Sequence, residues 1–283
     1  MPIVQNIMKQ RLEAGELVAS FNVVHWRTVN AAGIAKECGF DWLFIDLEHG
    51  TMDLDAAAQM CVAALPTGIT PIVRVPSHDH FQAARILDGG AMGVVVPHVN
   101  SADEARCVVR NCKYPPLGHR SLTAPAPQLG FRTLPAAEAL ETLNRNTLVI
   151  VMLETPVAIE QADAIAAVPG VDGLMIGTND LTAEMGIPGQ FGHDRVEKAY
   201  ATMIAACRRH GKFPGMGGVY DHTLMEKYIR MGVRFCLGGG DVALMVSAGK
   251  ARTGFLRTLK TVPLNAPSAT GRNGREANLA SSV

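Results

Sequence analysis

The sequence predicts an α/β fold, a (β/α)8 TIM barrel with an extra N-terminal helix and a C-terminal helix. Three observations carry that expectation. Eight short apolar runs alternate with longer segments of helical period, the runs are near-continuous in their apolarity, and ionisable residues collect where the runs end. Parallel strands covered by helices on both faces read as unbroken apolar stretches, which is the pattern seen. A doubly wound open sheet is the other α/β solution. It usually carries a glycine-rich dinucleotide fingerprint after its first strand, and none is present.

The strands are expected at 17–22, 41–47, 71–75, 93–99, 148–153, 172–176, 213–217 and 234–237, with Leu148-Val149-Ile150-Val151-Met152-Leu153 the clearest. The helices are expected at 30–38, 55–64, 81–87, 102–112, 156–168, 196–210 and 223–231. Glycine stops several of them, at Gly39, Gly89, Gly211 and Gly232. One more helix precedes the first strand at 4–13, and another follows the last at 242–256. Residues 1–262 then read as a single barrel domain. The stretch 263–283 is small and polar, without apolar period, and reads as a flexible tail. Residues 114–135 form a long Pro-, Gly- and Arg-rich connection, and loops of that length in compact domains are often functional or interfacial.

The bulk composition narrows the function. At 283 residues and 48% hydrophobic, the chain has the size of one barrel and enough apolar surface to form a core. Lys+Arg and Asp+Glu both number 26, so no global positive field attracts nucleic acid or an anionic membrane surface. A small-molecule substrate fits that balance. Six cysteines without a CxxC pair suit free thiols in a reducing cytoplasm. The start of the chain does not read as a signal peptide, and no apolar run reaches the roughly 20 residues that span a bilayer.

Active sites of (β/α)8 enzymes sit at the C-terminal ends of the strands. Here those ends carry Asp46-Leu47-Glu48-His49, Arg74, Glu154-Thr155, Gly177-Thr178-Asn179-Asp180 and Gly238-Gly239-Gly240-Asp241. Two separated carboxylates, Glu154 and Asp180, without a cysteine cluster suit a hard divalent ion such as Mg²⁺, with Mn²⁺ or Co²⁺ as substitutes. Arg74 offers a cationic fork to an anionic or enolate oxygen. His49 is of the residue type best placed for proton transfer near neutral pH. Backbone N–H groups at Gly177, Thr178 and Asn179 can hold a carboxylate. Each residue also has a plainer reading. Glu154 and Asp180 could cap helices, Arg74 could serve a structural ion pair, and the glycines before Asp241 could mark close packing rather than a phosphate loop. His25 and Trp26 could line the mouth or be purely structural.

These segments resemble the HpcH/HpaI-type class II pyruvate aldolases, whose relatives include 4-hydroxy-2-oxoheptanedioate and 2-dehydro-3-deoxyglucarate aldolases. The resemblance runs from about residue 10 to 257. It rests on Gly39-Phe40-Asp41-Trp42-Leu43-Phe44-Ile45-Asp46-Leu47-Glu48-His49, Pro71-Ile72-Val73-Arg74, Tyr114-Pro115-Pro116-Leu117-Gly118-His119-Arg120-Ser121, Glu154-Thr155 and Gly177-Thr178-Asn179-Asp180-Leu181. It implies retro-aldol cleavage of 4-hydroxy-2-oxo acids to pyruvate, or a close 2-oxo acid, and an aldehyde. It implies metal on Glu154 and Asp180, an enolate steadied by Arg74, and His49 as the catalytic histidine with Asp88 as its acidic partner. The backbone at Thr178 and Asn179 would cradle the carboxylate. No Schiff-base lysine is required, and none falls at a strand end.

The sequence departs from the family pattern at Phe21, where some members have Trp, at Met216-Gly217-Gly218, where relatives have bulkier aliphatics, and at Thr178-Asn179, which replaces a Pro-Ala or Pro-Ser pair. These differences bear on substrate binding, above all on the aldehyde. Asp88 lies near the end of the helix after the third strand, on the far side from the mouth. A neighbouring subunit is therefore expected to deliver it, and the resemblance implies a hexamer, a trimer of dimers with intersubunit active sites. The competing readings are a CoA-ester lyase of the citrate-lyase β-subunit type, and a binding protein that kept the metal cavity without turnover.

Overall fold

The computed structural model describes residues 3–77, 80–122 and 125–261. The expected tail at 263–283 lies outside the described residues. The chain divides into two units, 1–244 and 245–283. The sequence placed its boundary at 262; the division falls at 244/245, within the last helix.

The first unit holds a closed parallel barrel, each strand paired with its neighbours in chain order and the eighth with the first. The strands are β1 (Val18–Val23), β2 (Trp42–Asp46), β3 (Thr70–Arg74), β4 (Gly93–Val96), β5 (Leu148–Leu153), β6 (Gly173–Gly177), β7 (Phe213–Gly217) and β8 (Phe235–Gly240). Helix α1 (Ile7–Glu13) precedes them. The connecting helices are α2 (Ala31–Glu37), α3 (Leu54–Ala64), α4 (His80–Asp88), α5 (Ala102–Cys112), α6 (Ala136–Asn146), α7 (Pro156–Glu160), α8 (Ala162–Ala166), α9 (Thr178–Glu184), α10 (Asp194–His210) and α11 (His222–Met231), and α12 (Asp241–Thr258) follows β8.

Strand alternation sorts the side chains into two layers. Val18, Trp42, Phe44, Ile72, Val95, Leu148, Ile150, Met152, Met175 and Phe235 fill the barrel interior. Met8 and Leu12 of α1 join that cluster and close the barrel's base. The alternate set, including Phe21, Val23, Leu43, Ile45, Val73, Val94, Val149 and Leu174, packs outward against the helices. β5 is buried at all six positions, as its unbroken apolar run requires. Burying each such aliphatic side chain contributes about 1.5–3 kcal/mol.

The same alternation delivers the polar residues. Trp42, Phe44 and Asp46 lie in one inward row, as do Ile72 and Arg74, and the row Leu148, Ile150, Met152 continues to Glu154. Apolar side chains plug the lower barrel, and the charged residues cap each row at the top.

The structure differs from the sequence expectation at four places, the first being helix α9, which forms where a loop after β6 is expected. Helix α6 was not expected; it buries Ala139, Thr142 and Leu143 at helical spacing beyond the Pro-rich connection. The expected helix at 156–168 is two short helices that meet at Gln161, whose backbone (φ −89°, ψ 2°) leaves the helical region. β4 ends at Val96 rather than at 99, because Pro97 has no N–H to continue the ladder and His98 turns left-handed, at φ 54°.

The described part of the second unit continues α12 from Met245, and its Met245, Val246, Phe255 and Leu256 are exposed. Among the described residues, no helix is long and apolar enough to cross a membrane. All six cysteines are free thiols.

Candidate active site

A cavity of about 280 Å³ opens at the C-terminal ends of the strands. Arg74, His49, Asp180, Asn179, Gly217 and Tyr220 are among the residues lining it. A larger depression of about 580 Å³ lies at the opposite end, beside Ile7, Thr70 and Met92, and among the described residues no ionisable side chain lines it. Barrel enzymes place their chemistry at the C-terminal strand ends, and the smaller cavity lies there with charged groups and donors on its wall, so it is the candidate site.

Asp46 and Arg74 are register partners on adjacent strands. Arg74 is 7% exposed, and its Nε and Nη2 donate to the two Asp46 oxygens at 2.9 and 2.6 Å. Its Nη1 lies 2.8 Å from Glu48 Oε2, and its guanidinium sits over the Phe44 ring. Burial by itself lowers the arginine's pKa. The Asp46 hydrogen bond and the charges of Asp46, Glu48 and Glu154 outweigh that and hold it raised, so Arg74 remains a fixed cation. Asp46 also shapes the next turn, accepting from the Glu48 and His49 N–H groups at 3.0 and 3.3 Å. Gly50 follows in a left-handed conformation (φ 93°), and a Cβ there would stand 2.9 Å from the Val24 carbonyl oxygen. Glycine thus lets the His49 turn approach the loop after β1.

Glu154 follows β5 and is 1% exposed. Its Oε2 accepts from the His98 backbone N–H at 2.7 Å. Desolvation lifts its pKa to about 7; the His98 contacts oppose the rise, and Asp180 and Glu48 add to it. Gly177 makes room for this carboxylate, since a Cβ there would lie 2.4 Å from Glu154 Oε1. Asp180 stands in the first turn of α9. Asp46, Glu48, Glu154 and Asp180 therefore set four carboxylates against one guanidinium. Hard oxygen donors, a buried carboxylate and this excess of negative charge suit a divalent cation. Among the described residues, no three His, Cys, Asp or Glu side chains form a complete metal cage, which is compatible with two protein carboxylates supplemented by other oxygens.

The remaining expected residues divide. His49 is exposed on the cavity wall. Gly177, Thr178, Asn179 and Gly217 line the cavity too. The Thr178 hydroxyl is committed to the Gly217 carbonyl (2.7 Å) and to Tyr200 (2.8 Å), so only its backbone can serve a ligand. Phe21 corrects the sequence reading. It lies between the inward Ser20 and Asn22 and faces the helix layer, packed on Trp26 and Phe40. Asn22, not Phe21, reaches the cavity. Asp88 is not on the cavity wall, and within the chain it pairs with Arg120 at 2.5 Å. Gly238 of β8 serves packing, as a Cβ there would meet the Ser20 carbonyl at 2.7 Å, whereas a Cβ at Gly240 would meet nothing within 4 Å. Asp241 holds the loop after β1, accepting from the N–H groups of Val24, His25 and Trp26 at 3.1, 2.9 and 2.8 Å.

Sequence reasoning missed His98 and Tyr220 as well as Asn22. His98 stands beyond β4, its Nδ1 3.3 Å from Glu154 Oε2 and its Nε2 3.6 Å from Glu48 Oε1. The strand-end rule, applied to Val96-Pro97-His98, would have found it. Tyr220 lies three residues past β7, and nothing in its local pattern marks it.

A (β/α)8 barrel with a buried cation, converging carboxylates and a histidine at its mouth is the frame of an enzyme acting on a small anionic molecule. The HpcH/HpaI aldolase/citrate lyase family model matches residues 26–248, and the chain belongs to that family. It is 38% identical over 260 residues to a 4-hydroxy-4-methyl-2-oxoglutarate aldolase of Hapsidospora irregularis, covering 90% of this chain and 96% of that one. It is 35% identical over 222 residues to a 4-hydroxy-2-oxo-heptane-1,7-dioate aldolase of Escherichia coli, covering 78% and 84%. The crystal structure of an HpcH/HpaI aldolase from Desulfitobacterium hafniense DCB-2 superposes with a TM-score of 0.83 at 30% identity, over 89% of this chain and 97% of that one. The protein is accordingly an aldolase-type carbon–carbon lyase.

Proposed function

We propose that the enzyme reversibly cleaves 4-hydroxy-2-oxo acids to pyruvate, or a close 2-oxo acid, and a carbonyl partner, with a divalent ion (Mg²⁺, Mn²⁺ or Co²⁺) on Glu154 and Asp180. The observation that carries the reading is the buried Glu154 carboxylate, set with Asp180 near the fixed Arg74 cation at one barrel mouth. The names of its relatives support the substrate class.

When bound, the ion would supply Lewis acidity at the 2-oxo group, easing formation of the enolate. The chain supplies the rest. Arg74, immobilised by Asp46 and Glu48, presents fixed positive charge to the developing enolate oxygen, so no reorganisation is needed as charge appears. The backbone N–H groups of Thr178 and Asn179 receive the substrate carboxylate. His49 takes the proton of the 4-hydroxyl. The C3–C4 electron pair then becomes the enolate double bond, C4–O becomes a carbonyl, and protonation at C3 yields the methyl of pyruvate. Gly217 leaves space for the group carried on C4.

The four carboxylates make this mouth a poor seat for the polyanionic CoA moiety of an ester lyase. The reading extends to a homo-oligomer, a hexamer in which a neighbouring subunit brings Asp88 toward His49, and to a reducing cytoplasm, which suits six free thiols.

The test is pyruvate release from a panel of 4-hydroxy-2-oxo acids by the purified protein with Mg²⁺ or Mn²⁺, with and without EDTA. The reading expects release that EDTA abolishes and excess metal restores. Cleavage indifferent to EDTA would overturn the metal assignment, and absence of cleavage across the panel would overturn the substrate class.

A further inference from the structure

Tyr220 is a polar residue on the cavity wall to which the chemistry above gives no part. It follows β7 in the turn Gly218-Val219-Tyr220, with its ring half exposed and its hydroxyl beside the buried Asn22. Asn22 Nδ2 donates to Tyr220 Oη at 3.1 Å. The other end of the same amide is engaged, since Ser20 Oγ donates to Asn22 Oδ1 at 2.5 Å. Ser20 and Asn22 share the inward face of β1, are 0% and 4% exposed, and form a short rigid chain ending at the phenol. An oxygen that accepts from Asn22 keeps its own proton to donate. Desolvation raises the Tyr220 pKa, although Asn22 and the Arg74 charge oppose the rise, so the phenol remains protonated at neutral pH.

We propose that the Tyr220 hydroxyl donates the hydrogen bond that receives the substrate's 4-oxygen, the atom that becomes the carbonyl of the leaving partner, and that Asn22 is the residue that aims it. The inference rests on the aldolase reading of the cavity. The pyruvate half of the substrate belongs beside Glu154, Asp180 and Arg74. Tyr220 and Gly217 line the same cavity as Arg74 and Asp180, and we place the carbonyl partner against them. In cleavage, the 4-hydroxyl proton passes to His49, the C3–C4 pair moves into the enolate and C4–O becomes C=O. In synthesis, the carbonyl oxygen gains negative charge as the new bond forms and then takes the proton back. Tyr220 neither gains nor loses a proton in either direction. It stabilises the charge on O4, as an oxyanion-hole donor does, and losing one such donor costs about 10²-fold in rate.

A donor for O4 acts on bond cleavage and not on enolisation of pyruvate by itself, so two partial reactions separate it from a structural tyrosine. With Mn²⁺ present, deuterium wash-in to the methyl group of pyruvate reads the first half, and pyruvate release from 4-hydroxy-4-methyl-2-oxoglutarate reads the whole reaction. In Tyr220→Phe, kcat/KM for cleavage should fall about 10²-fold. The ratio of cleavage to exchange should fall at least about tenfold with it. Asn22→Ala, at unchanged melting temperature, should shift the ratio the same way by a smaller factor. Equal loss of both reactions in Tyr220→Phe, or no loss of cleavage, would overturn the assignment while leaving the aldolase reading in place. A wild-type protein with neither exchange nor cleavage would overturn both.

Discussion

Gly177→Ala changes one hydrogen into a methyl group and should disable the metal site. The Gly177 backbone has φ −83°, a value that alanine adopts without strain. The cost therefore comes from what the methyl meets. It would stand 2.4 Å from Glu154 Oε1, 2.7 Å from Cγ and 2.9 Å from Cδ, where ordinary contact begins near 3.4 Å. The carboxylate must retreat by about 1 Å (3.4 − 2.4). It is 1% exposed and held by the His98 N–H at 2.7 Å, so it cannot move without straining that bond. Overpacking of this kind costs about 1–3 kcal/mol. A weakened hydrogen bond to a charged group costs up to about 1.5–3 kcal/mol more. Urea unfolding should register a loss of about 2–4 kcal/mol, and Mn²⁺ titration calorimetry an affinity loss of about tenfold or more. A double-mutant cycle isolates the cause. In a Glu154→Ala background the three nearest atoms the methyl meets are gone, and the cost of Gly177→Ala should fall to below about 1 kcal/mol. An undiminished cost in that background, or wild-type Mn²⁺ affinity in Gly177→Ala, would refute the reasoning.

Three further outcomes follow from the same geometry. Arg74→Lys keeps the charge but loses the fork held by Asp46 and Glu48, so kcat/KM should drop about 10²-fold or more in a protein that still folds, read by steady-state cleavage assays. Burial raises the Asp241 pKa, but the backbone N–H groups around the carboxylate outweigh it and hold the pKa below the ordinary value. Its stabilisation is therefore present above the unfolded-state pKa and lost as pH falls through the folded one. Asp241→Asn should melt earlier than wild type at pH 7, with the gap closing in acid. Glu154 is the opposite case. Its pKa rises from 4.5 to about 7, so metal-free protein should lose stability as pH climbs across that window. Glu154→Gln should flatten the profile in metal-free thermal melts.

The sequence revealed the barrel because unbroken apolar runs and helical periods are local signals. It pointed to Arg74, Glu154 and Asp180 as candidates because barrel enzymes place their chemistry at strand ends. What it hid required a register or a distant partner. The resemblance implies a cavity role for Phe21, yet Val18, Ser20 and Asn22 share the inward face and Phe21 takes the other. That parity was readable once the strand's first residue was fixed. Helix α6 was obscured by the proline- and glycine-rich stretch before it, although Ala139, Thr142 and Leu143 have helical spacing. The Asp88–Arg120 pair joins residues 32 apart, and the contact between Asn22 and Tyr220 spans 198. Neither has a local signature: packing of neighbouring βα units creates the first, and closure of the barrel creates the second.

The central claim is that Glu154 and Asp180 hold a divalent ion against a 2-oxo acid steadied by Arg74. Crystals grown with Mn²⁺ and pyruvate, with diffraction recorded at the manganese absorption edge, test it most directly. The account predicts one anomalous peak about 2.0–2.2 Å from an oxygen of each carboxylate, with pyruvate beside it and within reach of Arg74. A manganese peak away from both carboxylates, or pyruvate seated elsewhere in the barrel, would contradict it.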